Sequence, residues 1–165
     1  MEMTKTNAAK ARMWEVFQAG QRLMAKTGKD LPLVVHMGTL EGEEIIFPSI
    51  ADPEVLAGVI GALAREKHAE YVILVCLGWI VRPQNKPGDV AAWYEWMQRE
   101  REGRGGSFEN VPGRIEVIQV QMRSIGSPVT VVMAELRRDG NAISFGEARE
   151  MKYLEGGPLR PWEDG

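Results

Sequence analysis

Apolar residues over 8–26 recur at helical spacing. Met13, Val16, Phe17, Gly20 and Met24 share one face with Leu23 beside them, while Lys10, Arg12, Glu15, Gln18 and Arg22 fall mostly opposite. Gly28 follows and can take the left-handed conformation that stops a helix. The period then shortens. Leu31–Leu40 and Glu44–Phe47 read as two strands around a turn at Glu41-Gly42-Glu43, a hairpin. Asp52-Pro53 opens a second helix, Asp52 as N-cap and Pro53 in its first turn, with Val55, Leu56, Val59, Ile60 and Leu63 as the buried stripe. Arg65, Lys67 and His68 fall where positive charge suits the helix dipole.

Tyr71–Val81 is apolar at both odd and even positions, so the spacing predicts a central strand covered on both faces. Arg114–Arg123 and Pro128–Arg138 read as strands joined at Ser124–Ser127, and Asp139-Gly140 turns the chain into another strand beginning near Ala142. On the first of these, Arg114, Glu116, Ile118, Val120 and Met122 point one way. Ile115, Val117, Gln119, Gln121 and Arg123 point the other. Each face is part polar, which calls for a strand whose start leaves the core or for a bulge near 117–118. Residues 82–113 interrupt the strands as an insertion, with Pro83 and Pro87, a helical stretch over 89–101 and a Gly-rich segment over 103–107.

The pattern predicts an α+β fold: a mostly antiparallel sheet of hairpin, central strand and C-terminal meander, with helices packed on one face. A single domain spans 1–154, and the Gly-, Pro- and charge-rich tail, 155–165, is expected to be loosely held. A chain of 165 residues with 44% hydrophobic and 26% charged residues supports a real core without staples. Its net charge of -3 supplies no global field for phosphate backbones or anionic lipid. One cysteine, Cys76, excludes an internal disulfide and fits a reducing compartment. The longest apolar run is too short to span a bilayer as a helix, and no signal core follows the N-terminus. The expected location is cytoplasmic.

Candidate chemistry is sparse. His36 and His68 lack Cys or His partners at ligand spacing, so no metal site and no cofactor is expected. Cys76 lies mid-strand in apolar surroundings and reads as inert packing. Gly103-Arg104-Gly105-Gly106-Ser107 lacks the lysine and following helix of a phosphate loop. The insertion and its flanks join Trp79, Trp93, Tyr94, Trp96 and Phe108 with Arg82, Lys86, Arg99, Arg101, Arg104 and Arg114. Aromatics beside cations suit interfaces or single-stranded nucleic acid. Five carboxylates interleave with those six cations, so the reading favours a protein partner or self-association. Arg114 and Glu116, two apart on one strand face, form the best polar pair. With His36 they would make a hydrolase-type site only if all three converge.

Tyr71–Trp79 followed by Ile80-Val81-Arg82, and then Pro112-Gly113-Arg114-Ile115-Glu116-Val117, resembles a family of uncharacterised bacterial and phage-borne proteins. Its pattern is an apolar strand ending in Trp, a variable loop, and Pro-x-Arg-x-Glu opening the next strand. Where that family commonly has an acidic-small-Trp triplet, this chain has Leu77-Gly78-Trp79. The resemblance implies phage or mobile-element company and no particular reaction. The expected function is a non-catalytic binding or accessory protein. Its contact residues would be Trp79, Arg82, Trp93, Tyr94, Trp96, Arg104 and Phe108. A hydrolase built on Arg114, Glu116 and His36 is the alternative, and single-stranded nucleic-acid binding through 82–113 the second.

Overall fold

Helix α1, Lys5–Thr27, opens the protein's computed structural model, which describes residues 5–50, 52–81, 95, 99, 114–153, 159, 161 and 162. The helix stops where glycine permits it: Gly28 has φ 68° and its N–H closes back on the Met24 carbonyl at 2.8 Å. Strands β1 (Val34–Thr39) and β2 (Gly42–Ile46) form the hairpin. Helix α2, Pro53–Glu66, starts as expected, with the Asp52 carboxylate accepting the N–H groups of Glu54 and Val55. Then come β3 (Tyr71–Val81), β4 (Arg114–Ser124), β5 (Val129–Asp139), β6 (Ala142–Phe145) and β7 (Arg149–Tyr153). All pairings are antiparallel, in the order β2-β1-β3-β4-β5-β6, and β7 pairs the earlier half of β5. Tyr71–Val75 is thus interior to the sheet, flanked by β1 and β4, whereas Cys76–Val81 pairs β4 alone among the described residues. The short, charge-rich β7 had no counterpart in the sequence pattern.

The helices do not share a face, contrary to expectation. Met13, Phe17 and Met24 of α1 pack on Ile73, Val75, Ile118, Val120 and Val132. Leu56, Ile60 and Ala64 of α2 pack on Val35, Met37, Val72, Leu74 and Val131. On β3 these two sets alternate, so α1 and α2 lie on opposite sides of the sheet. A strand apolar at every position exposes both faces to water unless each receives a layer. Met13, Phe17 and Met24 are almost wholly buried, and burying such a side chain stabilises by roughly 1.5–3 kcal/mol. The stripe expected on α2 is also displaced. Leu56, Ala57, Ile60 and Ala64 are buried, whereas Val55 and Val59 face outward.

The expectation of a loosely held tail fails at two residues. Leu159 and Trp162 are each 2% exposed and belong to the α2-side core. The Trp162 indole N–H donates to the Ala69 carbonyl at 3.2 Å, and Arg65 Nε donates to the Trp162 carbonyl at 3.1 Å. The Arg123 guanidinium lies 4.8 Å from the Trp162 ring centroid. Of the insertion, only Glu95 and Arg99 are described. Both are helical and exposed, and both fall within the stretch expected to be helical. Arg82, Trp93, Tyr94, Trp96, Arg104 and Phe108 lie outside the described residues, as does the Gly-rich segment 103–107. The β3–β4 register runs unbroken from Tyr71↔Ser124 to Val81↔Arg114. Arg114 and Glu116 therefore mark a strand whose start leaves the core, with no bulge, while Gln121 and Arg123 on the other face are buried. No helix among the described residues is long and apolar enough to cross a membrane.

Candidate functional site

Where β4 leaves the core, three strands and the end of α1 build a polar cleft. Trp79 on β3 stands opposite Glu116 on β4, and Val81 opposite Arg114. The alternation of β3, β4 and β5 puts Trp79, Arg114, Glu116 and Arg138 on the α1 side. Glu116 does not pair with Arg114, as the sequence suggested, but with Arg138. Arg138 Nε donates to Oε1 at 2.7 Å and Nη2 to Oε2 at 3.1 Å. The same Nη2 donates to Asp30, just beyond α1. These bonds, Glu116 first and Asp30 second, raise the Arg138 pKa further above its ordinary value. Arg114 instead lies over the Trp79 ring, its guanidinium carbon 5.3 Å from the centroid. The cleft has a volume of about 470 Å³ and is lined by Asp30, Leu77, Gly78, Trp79, Glu116 and Arg138. Trp79 is 37% exposed within it. On the other face of β4 and β5, a groove of about 250 Å³ has Ile115, Val117 and Met133 in its lining beside Arg137, Glu147 and Arg149.

His36 is not part of this cleft. It opposes Ile73 across β1–β3, whereas Glu116 opposes Trp79 on the other side of β3. Six residues along a strand is roughly 20 Å. Arg114, Glu116 and His36 therefore do not converge, and the hydrolase arrangement fails on its own geometric condition.

His36 belongs to a second cluster that the sequence reading missed, centred on Glu43. Glu43 Oε1 accepts from Arg12 Nη2 at 2.8 Å and Oε2 from Arg12 Nε at 3.0 Å, while His36 Nδ1 lies 2.8 Å from Oε1. The Tyr71 hydroxyl donates to Oε2. Desolvation pushes the Glu43 pKa up, but the bonds from Arg12, Tyr71 and His36 together outweigh it and lower it to about 2. Ionised Glu43 can only accept, so His36 Nδ1 carries the proton. Burial first, and then the bond to Glu43, raise the Tyr71 pKa well above the usual phenol range. Both Glu43 oxygens are taken twice. The cluster fastens α1 to the hairpin and leaves its carboxylate no spare acceptor for a ligand.

Gly38 makes this fastening possible. It sits on β1 between Tyr71 on one side and Glu43 on the other. The Tyr71 ring crosses it to bridge two strand spacings, roughly 10 Å. A Cβ on Gly38 would stand 2.0 Å from Tyr71 Cε1. Gly38→Ala is therefore expected to cost about 1–3 kcal/mol by overpacking. The same substitution in a Tyr71→Ala background should cost much less. Urea unfolding of the four proteins measures the difference, and equal costs in both backgrounds would refute the explanation.

Cys76 and His68 behave as ordinary structural positions. Cys76 is half-buried, and desolvation pushes its thiol up to about 11, so it stays protonated at neutral pH. His68 is exposed just past α2 with φ 51°, its backbone N–H donating to the Arg65 carbonyl at 3.2 Å. Glu43 could have been found from sequence had the hairpin turn been placed at Leu40-Glu41. Asp30, which comes to Arg138 from 108 positions away, had no local signal. Comparison with known proteins gives no match to a family model, a curated protein or a solved structure.

Proposed function

We propose that this chain is a non-catalytic binding or accessory protein of the cytoplasm. Its contact surface would join the cleft around Trp79 to the aromatic and basic residues of segment 82–113. The supporting observation is the Arg114 guanidinium over a partly exposed Trp79 at the rim of an open cleft. Arg and Trp are residue types that anchor protein interfaces, and a guanidinium can meet a single carboxylate through two N–H bonds. The fixed charges nearby are spent on one another: Arg138 holds Glu116 and Asp30. That favours holding a partner over proton transfer. The carboxylates of Asp30 and Glu116 weigh against a polyanionic phosphate backbone in this cleft, so the favoured ligand is a segment of another protein that brings a single carboxylate to Arg114.

Affinity capture from the source cell, with wild type and Arg114→Glu as baits, tests the reading. The charge reversal is expected to lower recovery of the specific partner by about tenfold, equivalent to about 1.4 kcal/mol. The melting temperature should be unchanged, since Arg114 is exposed. Equal recovery by both baits, or no specific partner with either, would remove the proposal.

A further inference from the structure

Strand β3 is interior along its first half and an edge along its second. The β1–β3 ladder begins at Val34↔Val75, two residues after Pro32, which has no N–H to offer a ladder. From Cys76 to Val81, β3 is therefore paired on one side only among the described residues, by β4. Six residues span roughly 20 Å of strand edge.

Native sheets guard such edges with charge, proline, bulges or short strands. The other edges here follow that rule. β2 carries Glu43 and Glu44, β7 carries Arg149, Glu150 and Lys152, and β6 has four residues. Cys76-Leu77-Gly78-Trp79-Ile80-Val81 has neither charge nor proline, and its register with β4 is free of bulges. This edge, unguarded among the described residues, also carries the partly exposed Trp79.

We propose that this edge binds a second copy of the chain, the two β3 strands pairing antiparallel about a twofold axis. The inference rests on the strand edge rather than on the ligand of the cleft, although Leu77, Gly78 and Trp79 belong to both. Self-pairing is favoured because the segment complements itself. A twofold through Gly78 sets Leu77 of each copy opposite Trp79 of the other, on the α1 face of both, and Cys76 opposite Ile80. No like charges meet. The same operation at the middle of β2 would set Glu44 against Glu44, which is destabilising. The exposed backbone groups gain partners, and an aromatic–aliphatic contact closes over each end of the axis. A ladder of this length is smaller than a standard stable interface, so the expected dissociation constant is on the order of micromolar.

Sedimentation equilibrium of the intact chain at about 1–100 μM is the first measurement, on wild type, Trp79→Lys and Ile45→Lys. Wild type should dimerise, Trp79→Lys should weaken the dimer by about tenfold or more, and Ile45→Lys on the β2 edge should leave it unchanged. Hydrogen exchange on wild type needs no variant. Edge-facing amides within 76–81 should lose protection as the protein is diluted from dimer to monomer. A wild type monomeric throughout would overturn the proposal. So would a dimer indifferent to Trp79→Lys, or amides equally protected in the monomer because the chain's own residues or another protein fill the edge.

Discussion

Replacing Trp162 with alanine is expected to lower the free energy of unfolding by about 3–5 kcal/mol, the usual cost of emptying a buried tryptophan site. Three interactions converge on this one side chain. Its ring is buried against the α2-side core, its indole N–H satisfies the Ala69 carbonyl, and the nearly buried Arg123 guanidinium lies against its face. Ala69 joins α2 to β3, so the indole ties the chain's far end to the start of the central strand. Without the ring, the Ala69 carbonyl and one face of Arg123 would line a cavity. A buried acceptor left unsatisfied adds about 1–3 kcal/mol of its own. Trp162→Phe keeps most of the volume and the aromatic face but loses the donor, so about half the effect is expected. Removing residues 159–165 should match Trp162→Ala or exceed it slightly, because Leu159 is lost too. Urea midpoints at constant slope measure all three. A loss below about 1 kcal/mol on Trp162→Ala would mean that the tail does not contribute to the core in solution.

That docking had no signature in the sequence. A lone tryptophan among Gly, Pro and charged residues carries no period, and its pocket is assembled from elements 39 to 97 positions away. Elements with a local cause were legible. The Asp52-Pro53 start of α2, the Gly28 stop of α1 and the turn at Ser124–Ser127 follow from capping and turn chemistry, and the turn expected at Asp139-Gly140 falls one residue later, at Gly140-Asn141. Their outcome was α+β with an antiparallel sheet. The opposite placement of the helices was legible too, in the two-faced apolarity of Tyr71–Val81, but the run of late strands suggested a one-sided layer instead.

Register separated what could be read at the cleft from what could not. The short β4–β5 turn sets Val117 opposite Glu135 and so brings Glu116 diagonally towards Arg138, which makes that pair derivable. Trp79 opposite Glu116 was not derivable, because residues 82–113 separate β3 from β4 and a connection of that length leaves the register open. At the hairpin, a turn placed one residue late left Glu43 reading as a solvated turn charge. The actual pairing Thr39↔Gly42 puts Glu43 on the α1 face beside His36 and Tyr71.

Glu43 therefore gives the protein a distinctive response to acid. Its folded pKa of about 2 lies below the ordinary 4.5. The stability linked to that depression is fully present above pH 4.5 and is lost as pH falls through the window down to about 2. The drop corresponds to roughly 3 kcal/mol, and partial solvent screening of the carboxylate reduces this to about 2. Glu43→Gln removes the titrating group while keeping its size. At pH 7 it should cost about 2–4 kcal/mol, because Arg12 loses its main carboxylate partner and the Tyr71 and His36 donors face a weaker acceptor. Towards pH 2 wild-type Glu43 becomes protonated and neutral, so the stability gap between the two proteins should close. Urea unfolding at steps between pH 7 and pH 2 follows both curves. Curves that stay parallel across that range would show that the carboxylate is not what joins α1 to the hairpin. A gap that narrows below pH 4.5 would identify the Arg12–Glu43–Tyr71 bonds as the acid-sensitive fastening of this fold.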